Sequence, residues 1–176
     1  LSLDLTAKYA SETRAIAMAQ DTAYPGVSKQ IATALRSFNG RYIAPTLVLN
    51  VGDTLRINLN NALPASVPKQ SSLAYLNHQN STNLHFHGLH VDPKEIRPGV
   101  FGDYVVDVAE AGVLPGASRQ HELTIPLDHT NGIYWYHPHL HGSSNAQVSS
   151  GMFGAIIIRD PADKFITNKE IRERVI

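Results

Sequence analysis

The chain has 176 residues with 15 basic and 15 acidic side chains, so its formal charge is zero at neutral pH. That balance argues against a nucleic-acid binder or a basic membrane-surface protein, both of which need excess positive charge. Hydrophobic residues make up 43% and charged residues 17%, enough to close one sizeable core, and the length falls short of the roughly 250 residues of a TIM barrel. Cysteine is absent, which excludes disulfides, thiolate zinc sites, Fe–S clusters and a Cys nucleophile from this chain. No apolar run reaches the roughly 18 residues of a membrane span; the longest aliphatic run is 155–158. The sequence begins at Leu1 without a basic-then-apolar leader, so it reads as processed or cut from a larger polypeptide.

Taken in chain order, residues 1–9 alternate Leu1, Leu3 and Leu5 with Ser2, Asp4 and Thr6, the period of a half-buried strand. The Ala-rich stretch 11–20 is open between a short helix and a strand. Phe38-Asn39-Gly40 is a turn signal, and 46–51 and 54–59 read as strands separated by Gly52-Asp53. Residues 64–79 are a polar loop, and 84–91 is a predicted strand carrying His85, His87 and His90. A long loop with Pro93, Pro98, Gly99 and Gly102 follows. Strands are then expected at 104–108, 120–125, 133–137 and 152–158, with a Pro115-Gly116 turn among them. Helical periodicity is confined to 143–150 and 164–174, the latter a charge-rich linker leaving the domain after Asp160-Pro161. Short strands separated by frequent turn signals predict an all-β sandwich or barrel with few short helices.

Nine histidines stand out beside one Trp and two Met. Five of them lie in His85-Phe86-His87-Gly88 and His137-Pro138-His139-Leu140-His141-Gly142. In a strand, residues i and i+2 face the same side, so each His-x-His sets two imidazoles next to each other. Composition alone predicts roughly 0.5 such pairs, and about 0.03 followed by Gly. Three pairs occur and two are followed by Gly, so chance is the weaker explanation. An all-imidazole cluster without carboxylate or thiolate points to copper or zinc. The isolated His78, His121 and His129 read instead as surface or structural residues.

The segments Asn83-Leu84-His85-Phe86-His87-Gly88 and Gly132-Ile133-Tyr134-Trp135-Tyr136-His137-Pro138-His139-Leu140-His141-Gly142 closely resemble the two copper motifs of the first cupredoxin domain of multicopper oxidases. The resemblance is to the laccase-like and copper-efflux oxidases, with the bacterial type expected. It extends over about residues 35–160 through Phe38-Asn39-Gly40, Pro45-Thr46, Gly52-Asp53-Thr54, Asn61, Pro115-Gly116, Gln147-Val148 and Gly151-Met152-Phe153-Gly154. It implies a Greek-key β-sandwich of the cupredoxin type over residues 1–160, with 161–176 leading toward an absent second domain. It also implies that His85 binds the type 2 copper, and His87, His137 and His139 the type 3 coppers, of a trinuclear cluster that reduces O2 to water. His141 matches a position that is usually a neighbour rather than a ligand. Asp92, Glu95 and Asp103 are candidates for orienting the imidazoles or delivering protons, against a reading as solvated loop carboxylates.

The family takes substrate electrons at a blue His₂Cys copper, for which this chain has no thiolate. The chain therefore resembles half of a cluster, inactive alone, whose partners are later cupredoxin domains and O2. The His rim is expected to face solvent in a lone monomer, beside apolar surface that such a domain covers, or that a second copy covers. A periplasmic or secreted setting is expected. Two rivals compete with this reading. One is a non-enzymatic copper-binding or assembly module. The other is a cupin, with Asp92 and His121 standing in for its Glu and later His, which leaves His137 and His139 unexplained.

Overall fold

Alternation of inward and outward side chains builds two sheets. The computed structural model describes residues 1–16, 29–65, 79–105 and 112–159; for 11–16 and 29–34 it describes the backbone alone. The strands are β1 (Ser2–Ile16), β2 (Lys29–Phe38), β3 (Leu47–Asn50), β4 (Thr54–Asn61), β5 (His85–His87), β6 (Glu95–Arg97), β7 (Val100–Phe101), β8 (Ser118–Thr124), β9 (Gly132–His137) and β10 (Gly154–Arg159). Among the described residues the helix is one short element, α1 (Ser144–Ser149). One sheet has the order β2-β1-β4-β8-β7-β6, the other β3-β10-β9-β5. The chain changes sheet between β2 and β3, β3 and β4, β4 and β5, β5 and β6, and β8 and β9, the crossings of a Greek-key sandwich.

The core lies where the two sheets face each other. In β4, Leu55, Ile57 and Leu59 are buried and alternate with Arg56, Asn58 and Asn60. They meet Leu5 from β1 and Leu123 from β8, and Leu49, Phe86, Tyr136, Ile156 and Ile158 from the other sheet. Each such fully buried side chain stabilises the fold by about 1.5–3 kcal/mol relative to exposure. Val48, Ile157 and Ile133 form a cross-strand row in the four-stranded sheet, and Val48 and Ile133 are exposed.

Several elements depart from the sequence expectation. The strand expected at 84–91 ends at His87, because Gly88 takes φ +87° and the Leu89 amide turns back to the Phe86 carbonyl. In the 11–20 stretch, β1 continues to Ile16, and 17–20 lie outside the described residues. The Pro-rich loop contains the small hairpin of β6 and β7 around Pro98-Gly99, with Gly99 at φ +79°. Strand β2 was not expected at all. The expected strand at 104–108 is not formed at 104 and 105, and 106–108 lie outside the described residues, as do most of the 64–79 loop, His78 and the 161–176 linker.

Candidate metal centre

Strands β5 and β9 run antiparallel at one edge of the four-stranded sheet, pairing His85 with His137, Phe86 with Tyr136 and His87 with Trp135. Alternation then divides the side chains between two faces. Phe86 and Tyr136 enter the core, both fully buried, so His85, His87, Trp135 and His137 share the opposite face. His139 follows from the loop after β9, where the Asn83 Oδ1 accepts its backbone N–H at 2.6 Å. The residue two before His85 thus fixes the residue two after His137. Fully buried Gln147 of α1 adds a second tie, donating to the Gln79 and Ser81 carbonyls and accepting from Thr82 Oγ1.

The four imidazoles converge. Ring centroids lie 5.4 Å apart for His85–His87, 5.2 Å for His85–His137 and 5.0 Å for His85–His139. One ligand atom each from His85, His87 and His137 fit within 4.8 Å of one another. The rim opens to solvent chiefly at His87; His85 and His139 are half-buried and His137 is buried, so the expected exposed rim is more enclosed than the sequence suggested. The cause is local packing, with Trp135 stacked on His137 at 3.9 Å and the following Pro138 buried beside it.

Hydrogen bonds set which nitrogens are free. Asp103 Oδ1 lies 2.9 Å from His85 Nδ1 and also accepts the Phe86 N–H at 3.0 Å. The Pro138 carbonyl lies 2.9 Å from His137 Nδ1. Carboxylate and carbonyl oxygens accept, so each Nδ1 carries the proton and each Nε2 presents a lone pair. Burial holds the His137 imidazole below the usual histidine range, and the neighbouring His85, His87 and His139 push the same way against the Pro138 bond. A neutral imidazole is the form that binds metal.

The remaining candidates separate cleanly. His141 is exposed, 6.2 Å from the His139 ring and outside the converging group. Asp92 and Glu95 accept backbone N–H groups of Lys94 and Gly99 and serve their own loop. His121 is buried facing the core, Nδ1 on the Gly102 carbonyl, with burial the main force pushing its pKa down to about 4. His129 is tied to the Thr130 carbonyl and the His90 amide. The cupin-like donor set of Asp92 and His121 is therefore not assembled. Sequence reasoning missed what Asn83 and Trp135 do; the signal for Trp135 was its i, i+2 relation to His137, which puts both on one strand face.

Copper suits these residues. A donor set of imidazoles without carboxylate or thiolate would hold copper, which takes imidazole nitrogen readily. His87 Nδ1 and His137 Nε2 are 3.3 Å apart. His139 Nδ1 is buried without a hydrogen-bond partner, a polar atom still lacking what it was placed to meet.

A multicopper oxidase family model matches residues 69–163. The chain is 33% identical over 138 residues to the iron transport multicopper oxidase fetC of Epichloe festucae, covering 78% of this chain and 18% of that protein. It is 33% identical over 129 residues to laccase-2 of Thanatephorus cucumeris, covering 72% and 18%. Among solved structures, a multicopper oxidase from Campylobacter jejuni described as a metallo-oxidase aligns with a TM-score of 0.58 at 24% identity, over 92% of this chain and 26% of that one. Fet3p, described as a multicopper oxidase that functions in iron import, aligns with a TM-score of 0.59 at 22% identity, over 94% and 24%. The sequence relatives named are fungal, and the chain spans about a fifth of their length. By its two His motifs, its sandwich and these matches, the chain belongs to the multicopper oxidases.

Proposed function

We propose that this chain is the first cupredoxin domain of its oxidase and supplies four imidazoles to a trinuclear copper centre. His85 is assigned to the type 2 ion, and His87, His137 and His139 to the type 3 pair. The observation that carries this reading is the convergence of His85, His87 and His137 on one face of β5 and β9, with the His139 ring from the following loop 5.0 Å from that of His85. When bound, the three coppers supply the four-electron reduction of dioxygen to water.

This chain's own residues prepare that site. Asp103 keeps the proton on His85 Nδ1 and aims Nε2 outward, and the Pro138 carbonyl does the same for His137. Asn83 and Gln147 hold the two motifs in register. The other ligands and the electron entry site belong to later cupredoxin domains, since without cysteine this chain offers no thiolate for a blue copper. Residues 1–160 then form one cupredoxin unit, 161–176 lead onward, and the chain alone has no oxidase activity. The setting is periplasmic or secreted, and among the described residues no helix is long and apolar enough to cross a membrane.

Calorimetric titration with Cu²⁺ tests the assignment. The wild-type chain binds, and His85→Ala/His137→Ala binds at least about tenfold more weakly. Equal binding by both removes the four-His site from consideration.

A further inference from the structure

We infer that Trp135 is a positioning residue of the copper centre: its indole is a flat platform that fixes the ring planes of His87 and His137. This rests on the copper reading above. The indole is inclined by 26° to both imidazoles, with centroids 5.1 Å from His87 and 3.9 Å from His137. Those two imidazoles are 5.5 Å from each other, too close for them to lie on opposite faces of the indole. Both rest against the same side, and that side is where His87 Nδ1 and His137 Nε2 meet at 3.3 Å.

The strand register produces this arrangement. Trp135 is the direct cross-strand partner of His87 and stands two residues before His137, so one side chain reaches both motifs. Orientation matters because the second torsion of histidine is broad, and His87 is exposed on the edge strand of its sheet. Nothing else among its hydrogen bonds and ring contacts is as flat: the His85 and His137 rings meet it at 54° and 40°. Without the indole, the His87 ring must be ordered at the moment of metal binding. With it, that cost is already met on folding. Trp135 is 36% exposed, so the platform is not needed to close the core.

The test uses Cu²⁺ with Trp135→Phe and Trp135→Leu, reading affinity by chelator competition, the Cu²⁺ EPR signal at substoichiometric metal, and Tm. Phe keeps a stacking face, whereas Leu keeps bulk without one. Trp135→Phe is expected within about threefold of wild type and with the same EPR signal, and Trp135→Leu about tenfold weaker with altered hyperfine splitting at unchanged Tm. No loss in either variant, or the same loss in both, overturns the platform. If instead His85→Ala/His137→Ala binds copper like the wild type, the copper reading itself falls, whatever the Trp135 variants do.

Discussion

Removing the Asp103 carboxylate separates what it does for the metal from what it does for the fold. Its Oδ1 accepts from His85 Nδ1 at 2.9 Å and from the Phe86 N–H at 3.0 Å, and the side chains of His85 and Asp103 are only 19% and 13% exposed. Asp103→Asn keeps a neutral oxygen for Phe86 but removes the charged acceptor that fixes the His85 tautomer and ring orientation. Copper affinity should fall by about tenfold, the low end of what loss of a ligand's hydrogen-bond partner costs, or about 1.4 kcal/mol. Asp103→Ala loses the same support and also strands the amide of a fully buried residue, at about 1–3 kcal/mol. For a chain of this size, 2 kcal/mol corresponds to a Tm decrease of about 4–8 °C. Calorimetry and thermal unfolding of the metal-free chain read the two effects apart. Wild-type Tm and wild-type affinity in Asp103→Ala would show that the bond pair supports neither ligand nor strand.

Further expectations follow from burial, close approach and composition. His121, pushed down from 6.5 to about 4, stays neutral in the fold while the unfolded chain takes up a proton. Stability is therefore full above pH 6.5 and declines as pH falls from 6.5 toward 4, by about 3 kcal/mol at most. Glu122, held down to about 2 chiefly by its bond with Arg97, begins to lose its contribution only below pH 4.5. Urea midpoints against pH should show the first slope in wild type and a shallower one in His121→Phe, where the partly buried His137 still contributes in the same direction. Gly102→Ala would set a Cβ 1.9 Å from the Asp92 carbonyl oxygen, so the loop must move, at about 1–3 kcal/mol and with the adjacent Asp103 bond weakened. An unchanged Tm in that variant would refute the close approach. With no cysteine, the copper-loaded chain should show no intense blue absorption and no laccase activity; a strong blue band would mean an unrecognised electron-entry site.

The sandwich was legible wherever one face of a strand is buried and the other wet. Alternation in Leu55, Ile57 and Leu59 gave β4, and the aromatic run of β9 and the aliphatic run of β10 gave the strands beside the site. Strand β2 was not legible, because Lys29–Phe38 mixes small, polar and apolar residues without a clear period of two. The end of β5 depends on Gly88 adopting a left-handed turn against the Tyr134 ring, a tertiary circumstance. The His-x-His pairs stood out by spacing, and the choice of four imidazoles came from the family resemblance; the residues that support them were not legible. Asp103 reaches His85 across 18 residues only because the intervening loop closes on itself, with the Gly102 and Asp103 amides donating to the Lys94 and Asp92 carbonyls. Three carboxylates in that stretch were equal candidates by sequence, and loop closure selects one.

The most direct test of the central claim uses a reporter already in the chain. Trp135 is the one tryptophan in the sequence, and its ring lies 3.9 Å from His137. Cu²⁺ held by His85, His87, His137 and His139 sits close enough to quench its fluorescence. Titrating Cu²⁺ into wild type and into His87→Ala/His137→Ala should give saturating quenching in the first and none at the same concentrations in the second. Full emission in the copper-saturated wild type, or equal quenching in both, would contradict the claim that these histidines hold the metal.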